Sequence, residues 1–454
     1  MRSTAARAVA SLRSRNFRLF VIGQIVSVAG TWMMVVSQDW LVLGMTDDSS
    51  TALGTVTALQ FAPVLLLTLQ GGRLADRFDK RSLLMAANLA SGALALILAA
   101  LVLTGSARLW SVYGFAFALG LVNAVEIPAR MSFVGELVGP ELLPNASALS
   151  AAYFNVARIV GPAGAGLLIS VVGTGWVMLL NGLSYLATVV ALRLMDPARI
   201  RRTARGPDTS GVLDGLRYVT RRPGLLVPLV LVAAVAVFGM NFQLTLPLLA
   251  KTVFHADASS FGLVTAAFAT GSLAAAFSGT LRRGRPSQRL VIGSAAVFGA
   301  VEAATGWAPT YPAAIALLFL TGFATTHFAQ AANHRIQLGS DPRYRGRVLG
   351  LYTLILQGST PVGALLVARL SEQAGARSGF LAGGLLSLGA AGVAAVCVAV
   401  RGSGSAESLG PAPESSGLAE PEPDPPYRDD DARQADLGPE RADMRVERAP
   451  RAGP

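Results

Sequence analysis

Two charged residues, Glu126 and Arg158, interrupt long apolar stretches of the sequence and are its clearest candidates for chemistry. Glu126 lies near the end of the apolar stretch 109–127, and Arg158 lies within the stretch 148–171. A charge inside a membrane-spanning helix is costly unless it is paired or faces a water-filled cavity. Because a long side chain on a helix leans toward the N-terminal end of that helix, we expect Arg158 to reach Glu126 and form an ion pair.

Two functions are open for this pair. It could fix the packing of two helices as a structural ion pair. Alternatively, Glu126 could exchange protons while Arg158 senses its charge, because burial favours a neutral carboxyl and a nearby arginine favours a carboxylate.

Three further polar residues lie in or beside apolar stretches. Asp39 precedes Trp40 near the end of the stretch 19–43, where it could be an interfacial residue beside an aromatic anchor or a carboxylate that attracts cations or protons. His327 and His334 could be polar packing residues or could handle protons.

The composition excludes an ordinary soluble protein. Hydrophobic residues make up 52% of the chain and charged residues only 14%, and the mean hydropathy is +0.51. The net charge of +11 comes from arginines in short breaks between apolar stretches, which indicates membrane topology rather than nucleic-acid binding. We find no nucleophile–base set, no metal-ligand spacing and no phosphate-binding loop, so neither an enzyme nor a metal site is expected.

The apolar stretches have the lengths of membrane-spanning helices, which need about 20 residues each. We therefore predict an all-α membrane protein with about twelve spans. The predicted spans are 19–43, 52–70, 83–103, 109–127, 148–171, 177–194, 225–249, 261–281, 290–306, 313–332, 348–368 and 380–400. Alternate breaks are rich in arginine, so both termini are expected on the cytoplasmic side.

A long arginine-rich break divides the spans into two equal sets. The sequence predicts a cytoplasmic segment 1–18, a six-helix bundle over 19–194, a linker over 195–224 and a second six-helix bundle over 225–400. The composition of 401–454, rich in proline, acidic residues and serine, predicts a disordered cytoplasmic tail.

The break between the second and third spans carries a motif. Its residues resemble the pattern G-x-L-a-D-R-x-G-R-[RK] of the major facilitator superfamily (MFS). The matching residues are Gly72, Leu74, Ala75, Asp76, Arg77, Lys80 and Arg81. The resemblance implies twelve helices in two pseudo-symmetric bundles, and a conformational latch between this loop and the start of the eleventh helix near Arg345. Asp79 stands where the commoner pattern has glycine.

A second motif surrounds Arg158. The stretch 155–166 resembles the fifth-helix antiporter motif of superfamily exporters, G-x-x-x-G-P-x-x-G-G: Gly161, Pro162 and one late glycine agree, whereas Ala157 and Ala165 stand where the motif has glycine. The small residues of the predicted bend are Gly161, Pro162, Gly164 and Gly166. Small residues let helices approach closely, and proline weakens the local hydrogen-bond ladder. We therefore predict a helix bend at a helix–helix seam.

The resemblance also implies that the first, fourth, seventh and tenth helices line a substrate cavity. The candidates on them are Gln24, Trp32, Asn123, Asn241, Phe242, Gln243, His327 and Gln330. The ninth helix is peripheral in this superfamily, so we expect Glu302 to be an interfacial residue. Drug/proton antiporters of the superfamily carry an arginine within the fourth span, which this chain lacks, and Arg158 could serve instead.

The stretches 38–43, 145–149, 155–158 and 345–348 resemble the enterobactin-exporter-like and macrolide-efflux-like branch of bacterial exporters. We therefore expect a monomeric transporter in the bacterial cell membrane that exports small amphipathic molecules. The proton gradient would drive it without a cofactor. An importer or lipid flippase on the same fold, and a non-transporting sensor that signals through its tail, are the alternatives.

Overall fold

The computed structural model describes residues 10–201, 212–280, 284–341 and 344–407. Within these residues the chain is helical and without strands, and twelve helices are long and apolar enough to cross a membrane. We label them α1 (Arg15–Met45), α2 (Ser50–Arg77), α3 (Lys80–Leu103), α4 (Leu109–Val138), α5 (Leu143–Val172), α6 (Thr174–Arg193), α7 (Pro223–Val253), α8 (Ala258–Gly279), α9 (Gln288–Gly306), α10 (Tyr311–Gly339), α11 (Arg345–Ala374) and α12 (Arg377–Val400). The predicted twelve-span, all-α fold is confirmed.

Several helices are longer than the apolar stretches that predicted them. The stretch 109–127 predicted the fourth span, but α4 continues through Pro128 and Arg130 to Val138. Charged residues end the apolar pattern without ending the backbone hydrogen bonds of a helix. The helices therefore extend beyond the thickness of the bilayer core.

The connection between α2 and α3 is much shorter than predicted. The helix α2 runs through Gly72 and Asp76 to Arg77, which leaves only Phe78 and Asp79 between the two helices. The Asp79 carboxylate accepts a hydrogen bond from the Ser82 backbone N–H at 3.0 Å, which caps the start of α3.

Six connections lie at one end of the structure, which we call the loop end: α1–α2, α3–α4, α5–α6, α7–α8, α9–α10 and α11–α12. The other connections and the start of α1 lie at the opposite end, which we call the terminal end. At the terminal end, the side-chain amide of Asn16 donates to the carbonyl of Asp196 at 2.8 Å, which joins α1 to the chain after α6.

The N-terminal half comprises α1–α6 and the C-terminal half α7–α12. Across the two halves, α5 packs against α8 and α2 packs against α11. A Cβ at Gly54 would lie 2.4 Å from the Ala368 side chain and at Gly166 would lie 2.5 Å from the Ala258 carbonyl oxygen. Glycine is therefore required at these two points of contact between the halves.

The described ends of the linker each bind to their own half. The backbone N–H of Arg201 donates to the Glu136 carbonyl of α4 at 3.0 Å. On the other side, the helix Val212–Thr220 packs against α11, where the Tyr218 ring stacks on Tyr344 at 4.3 Å. The residues 202–211 between them lie outside the described residues. The sequence predicted a disordered tail from 401, but the helix that begins at Arg377 continues to Glu407, and the residues from 408 onward lie outside the described part of the chain.

The helix α7 is interrupted near the middle of its length. It comprises Pro223–Phe238, Phe242–Leu248 and a π-helical turn, Leu249–Val253. At the interruption, the side-chain amide of Asn241 donates to the Val237 carbonyl at 2.8 Å. A side chain thus occupies a backbone acceptor that a regular helix would bind with its own N–H.

A candidate substrate site between the two halves

A central cavity of about 320 Å³ lies between the halves. Residues of α1, α2, α5, α7, α8 and α11 line it, so each half contributes three helices. Most of the lining is apolar or aromatic, and the two charged residues among it are Asp39 and Arg158. A mainly apolar cavity with a few polar groups is typical of a site for a small organic molecule.

Asp39 and Arg158 are both without ion-pair partners in the part of the chain that the structure describes. The Asp39 side chain is buried, with 6% of the residue exposed, and it lines the central cavity rather than the membrane interface. Arg158 is half-buried, and its Nε atom has no hydrogen-bond partner. Two opposite charges therefore face one cavity without forming a bridge across it.

The predicted ion pair between Arg158 and Glu126 is wrong. The Glu126 Oε1 atom instead pairs with Arg130 Nε at 2.9 Å, one turn along the same helix. Sequence reasoning ended the fourth span at residue 127 and placed Arg130 in a loop. Because α4 continues to Val138, Arg130 lies four residues from Glu126 on one helix face, where such pairs form readily.

The Glu126–Arg130 pair lines a second cavity of about 380 Å³, which lies mainly in the N-terminal half. A third cavity of about 440 Å³ lies in the C-terminal half between α7, α10 and α11. We call the second and third cavities the N-terminal cavity and the C-terminal cavity. The Gln357 side chain on α11 lines all three cavities. Sequence reasoning missed this residue, although an amide within an otherwise apolar span was the available signal.

Seven of the eight predicted cavity residues line one of these three cavities, but only four of them line the central one, and α4 and α10, which were predicted to line the substrate cavity, do not contribute to it. Trp32 and Gln243 line both the central and the N-terminal cavity. The other five are Gln24 and Asn123 in the N-terminal cavity, Asn241 and Phe242 in the central cavity, and Gln330 in the C-terminal cavity. His327 is not among the residues that line them, and its ring stacks on Phe323 at 6.0 Å.

Polar contacts between the halves close the loop end. Lys251 Nζ of α7 pairs with Asp48 Oδ1 of the α1–α2 connection at 2.6 Å. The same ammonium lies 5.4 Å from the centre of the Trp40 ring, which stacks on Phe261 of α8 at 5.9 Å. We call these four residues, together with Ser50 and Glu372, the loop-end seal.

Glu372 of α11 supplies the second contact of the loop-end seal. Its Oε2 atom accepts hydrogen bonds from Ser50 Oγ at 2.6 Å and from the Thr51 backbone N–H at 3.0 Å. These donors lie at the start of α2, where a helix has unpaired backbone N–H groups and a positive dipole end. The contact therefore joins α2 and α11 electrostatically.

Among the described residues, the predicted latch between the end of α2 and Arg345 of α11 is not formed in this conformation. Asp76 is exposed and forms no ion pair within the described residues, and Arg345 Nε has no partner. Lys80 instead pairs with Glu136 of α4 at 2.6 Å, and both side chains are buried. Arg81 Nε donates to the Leu192 carbonyl at 2.7 Å.

Lys80 and Arg81 therefore hold α3 against α4 and α6 within one half. Arg77 lies 5.9 Å from the ring of its neighbour Phe78, and Gly72 faces open space. The motif specifies residue types and not the helices beside them, so it could not predict these contacts within the N-terminal half.

The glycines of the predicted bend motif form two close helix contacts. A Cβ at Gly161 would lie 2.6 Å from Trp32 Cβ of α1. Gly166 and Gly262 face each other across the α5–α8 contact, and a Cβ at Gly262 would lie 2.6 Å from the Pro162 carbonyl oxygen. Gly164 faces open space. The motif thus forms a seam within the N-terminal half and between the halves.

Comparisons with known proteins agree with this architecture. Residues 6–419 match the model of the transmembrane secretion effector family. The multidrug efflux pump Tap of Mycobacterium tuberculosis is 28% identical over 388 residues, which cover 80% of this chain and 89% of the pump. The macrolide efflux protein A of Streptococcus pyogenes is 22% identical over 348 residues, covering 74% and 85%.

Among solved structures, a bacterial homologue of the human lysosomal transporter Spinster, in an inward-facing and occupied conformation, superposes with a TM-score of 0.68. It is 14% identical, and the match covers 86% of this chain and 97% of the other. The twelve helices, the cavity between two halves and the family match lead to one conclusion: the chain belongs to the transmembrane secretion effector family of the major facilitator superfamily and is a membrane transporter, not an enzyme.

Proposed function

We propose that this protein is a proton-coupled exporter of small amphipathic organic molecules that works as a monomer by alternating access. The observation that carries the proposal is the central cavity between the halves, where Asp39 and Arg158 face the lumen unpaired while the loop-end seal closes one side. The efflux function of the similar pump Tap supports the direction of transport.

The distribution of basic residues supports an orientation. The terminal end carries arginines in or directly beside four of its five connections, among them Arg77, Arg193 and Arg285, whereas the loop end carries few basic residues. Basic loops remain in the cytoplasm. The terminal end and both termini are therefore cytoplasmic, and the loop-end seal faces outward in an inward-facing conformation of the transporter.

Asp39 is the group at which proton and substrate compete. In a low-dielectric cavity, an unpaired carboxylate strongly favours either a proton or a cationic group of the substrate. A proton arriving from outside neutralises Asp39 and releases a bound cation. A substrate arriving from the cytoplasm displaces that proton inward. The Asp39 carboxyl thus exchanges an outgoing substrate for an incoming proton.

Arg158 prevents the empty cavity from holding a lone negative charge. Its guanidinium faces the same volume and has an unused N–H donor, so it also binds an acceptor group of the substrate. Apolar side chains such as Val36, Phe61 and Phe268 bind the hydrophobic body. The site therefore suits molecules with a basic group, an acceptor and an apolar framework.

The test is substrate uptake into inside-out vesicles from a host that lacks its own pumps. Compounds that wild-type cells resist are offered to vesicles with an acidic lumen, with and without an uncoupler. We expect uncoupler-sensitive uptake that Asp39→Asn abolishes. Asp47→Asn is the matched control, because Asp47 is exposed at the loop end and lies outside the central cavity.

Uptake that survives the uncoupler would refute proton coupling. Equal activity of Asp39→Asn and Asp47→Asn would refute the role of Asp39. Accumulation only in right-side-out vesicles would favour an importer on the same fold.

A further inference from the structure

Glu302 on α9 is buried rather than interfacial, contrary to expectation. Only 2% of the residue is exposed, and its Oε2 atom has no hydrogen-bond partner. It is not among the residues that line the three cavities. A carboxyl in such a place is costly to retain unless it has a function.

The Glu302 carboxyl packs against the interruption of α7. A Cβ at Gly239 would lie 2.7 Å from Glu302 Oε2 and 2.9 Å from Ser387 Oγ. A Cβ at Gly383 on α12 would lie 2.8 Å from Glu302 Oε1 and 2.7 Å from the Phe238 carbonyl oxygen. Glycines on α7 and α12 thus leave the room that the Glu302 carboxyl of α9 occupies.

Ser387 is a second buried oxygen at the same place. It is fully buried, and its Oγ atom also has no partner. The hydroxyl lies beside the same glycine as the carboxyl. It can accept a hydrogen bond from a protonated carboxyl or donate one to a carboxylate.

None of the charged groups of the surrounding helices bonds to Glu302 in the described structure. Lys251 of α7 pairs with Asp48, Arg377 of α12 donates to the Gly306 carbonyl, and Arg335 of α10 donates to the Pro286 carbonyl. The other titratable side chains of α9, α10 and α12 are Arg289 in the first turn of α9, Tyr311 whose hydroxyl donates to the Ser260 carbonyl, His327 stacked on Phe323, His334 in the C-terminal cavity and Cys397.

We propose that Glu302 is a proton-binding site of the C-terminal half, separate from the central cavity, and that its ionisation opens the interruption of α7. The protonated carboxyl fits the glycine-lined gap without a counter-ion. A carboxylate there has no cation and must attract water, which the gap admits only if α7 moves away from α9 and α12.

This movement reaches the substrate site directly. Met240, Asn241 and Phe242 follow Gly239 in the chain and line the central cavity. Opening of the interruption therefore changes the cavity wall. Proton binding at Glu302 favours the packed α7 of this structure, and proton release favours a second arrangement.

Infrared spectroscopy tests the protonation directly. The full-length protein in lipid is recorded at several pH values, and the carbonyl band of a protonated, buried carboxyl is followed. We expect a band that Glu302→Gln removes and that Ser387→Ala shifts in frequency. Glu141→Gln, at an exposed position between α4 and α5, should leave it unchanged.

Asp39→Asn separates this proposal from the proposed function. It should abolish coupled transport while the Glu302 band remains. A spectrum that is identical in wild type and Glu302→Gln would overturn the proposal, because Glu302 would then not hold a proton.

Cysteine labelling tests the movement of α7. Met240→Cys is made in a Cys397→Ala background, with and without Glu302→Gln, and the labelling rates are compared over a range of pH. The ratio of the two rates cancels the titration of the thiol. We expect the labelling rate of the protein with Glu302, divided by the rate of the Glu302→Gln protein, to rise several-fold as pH increases. A ratio that is constant with pH would overturn the gating role.

Discussion

The first helices of the two halves have the same length, but one is continuous and the other is interrupted. Both α1 and α7 comprise 31 residues. The helix α1 is uninterrupted, whereas α7 is broken at Gly239–Asn241 and ends in a π-helical turn. Each lines the central cavity. The difference indicates that a regular helix presents Asp39 while a deformable one shapes the wall opposite.

Outside the central cavity, where Asp39 and Arg158 lie unpaired within the described residues, the halves also differ in how they use buried charge. In the N-terminal half, Lys80 pairs with Glu136 and Arg130 with Glu126, each inside the half. In the C-terminal half, Glu302 is buried without a partner among the described residues. Paired charges fix the packing of helices, whereas a lone carboxyl makes packing depend on its proton.

The largest expected effect comes from breaking a pair in the N-terminal half. Lys80→Ala leaves the Glu136 carboxylate buried and alone, and the loss of one partner of a buried pair typically costs about 3–5 kcal/mol. We expect a large drop in the unfolding temperature of the purified protein.

The double variant Lys80→Ala/Glu136→Gln should recover part of that loss, because the unpaired charge is gone. Arg199→Ala is the control, since Arg199 pairs with Asp196 at the surface with a 68% exposed side chain and such pairs contribute about 0–1 kcal/mol. Equal losses for Lys80→Ala and Arg199→Ala would show that the buried Lys80–Glu136 pair does not fix the packing of the N-terminal half.

The second effect comes from filling the interruption of α7. Gly239→Ala places a methyl group 2.7 Å from Glu302 Oε2 and Phe298, and overpacking of this kind costs about 1–3 kcal/mol. We expect lower thermal stability and slower transport. Gly293→Ala on α9, where the space is open, should instead be neutral or stabilise the helix by about 0.5–1 kcal/mol.

The third effect concerns the loop-end seal. Lys251→Ala removes the ion pair with Asp48 and the contact with Trp40, which together contribute on the order of 1 kcal/mol toward the closed loop end. The equilibrium between conformations with a closed and an open loop end should therefore shift several-fold toward the open one. Labelling of Phe61→Cys by a membrane-impermeant reagent, added on the side of the membrane that the loop end faces, should increase in a Cys397→Ala background.

Lys251→Arg is the control, because it keeps the charge and the aromatic contact. If Lys251→Ala leaves the labelling rate unchanged, the loop-end seal does not hold the halves together.

The smallest effect concerns Asp257, which caps the start of α8. The backbone N–H of Ser260 donates to Asp257 Oδ1 at 2.8 Å, and this bond, with further bonds from the Ser260 and Ser259 side chains, lowers the pKa of the carboxyl. Since the pKa is lower in the folded state, the stabilisation is present above the unfolded pKa and is lost as pH falls through the folded value.

Asp257→Ala should cost about 0.5–2 kcal/mol of local stability at neutral pH and nothing in acid, as measured by hydrogen exchange in the first turn of α8. Asp257→Asn should keep the cap and remove the pH dependence. If the stability of the first turn of α8 still depends on pH in Asp257→Asn, a group other than Asp257 causes that dependence.

The sequence predicted the elements better than the contacts between them. Apolar length alone specified twelve spans, because the bilayer sets the length of a helix. The Glu126–Arg158 pair failed because Arg130 lies on a helical extension that hydropathy does not reveal. Asp39 and Glu302 look alike in the sequence, each near the end of a span, and only packing distinguishes a cavity wall from a closed gap.

The position of Gln357 has a consequence for the sizes of the molecules that the protein can bind. Its side chain lines all three cavities. A bulky replacement should therefore separate the cavities, and a small one should join them into a single larger cavity. Substitutions elsewhere in the walls should alter recognition of individual compounds. A change at this junction should instead redraw the range of molecular sizes that the protein accepts.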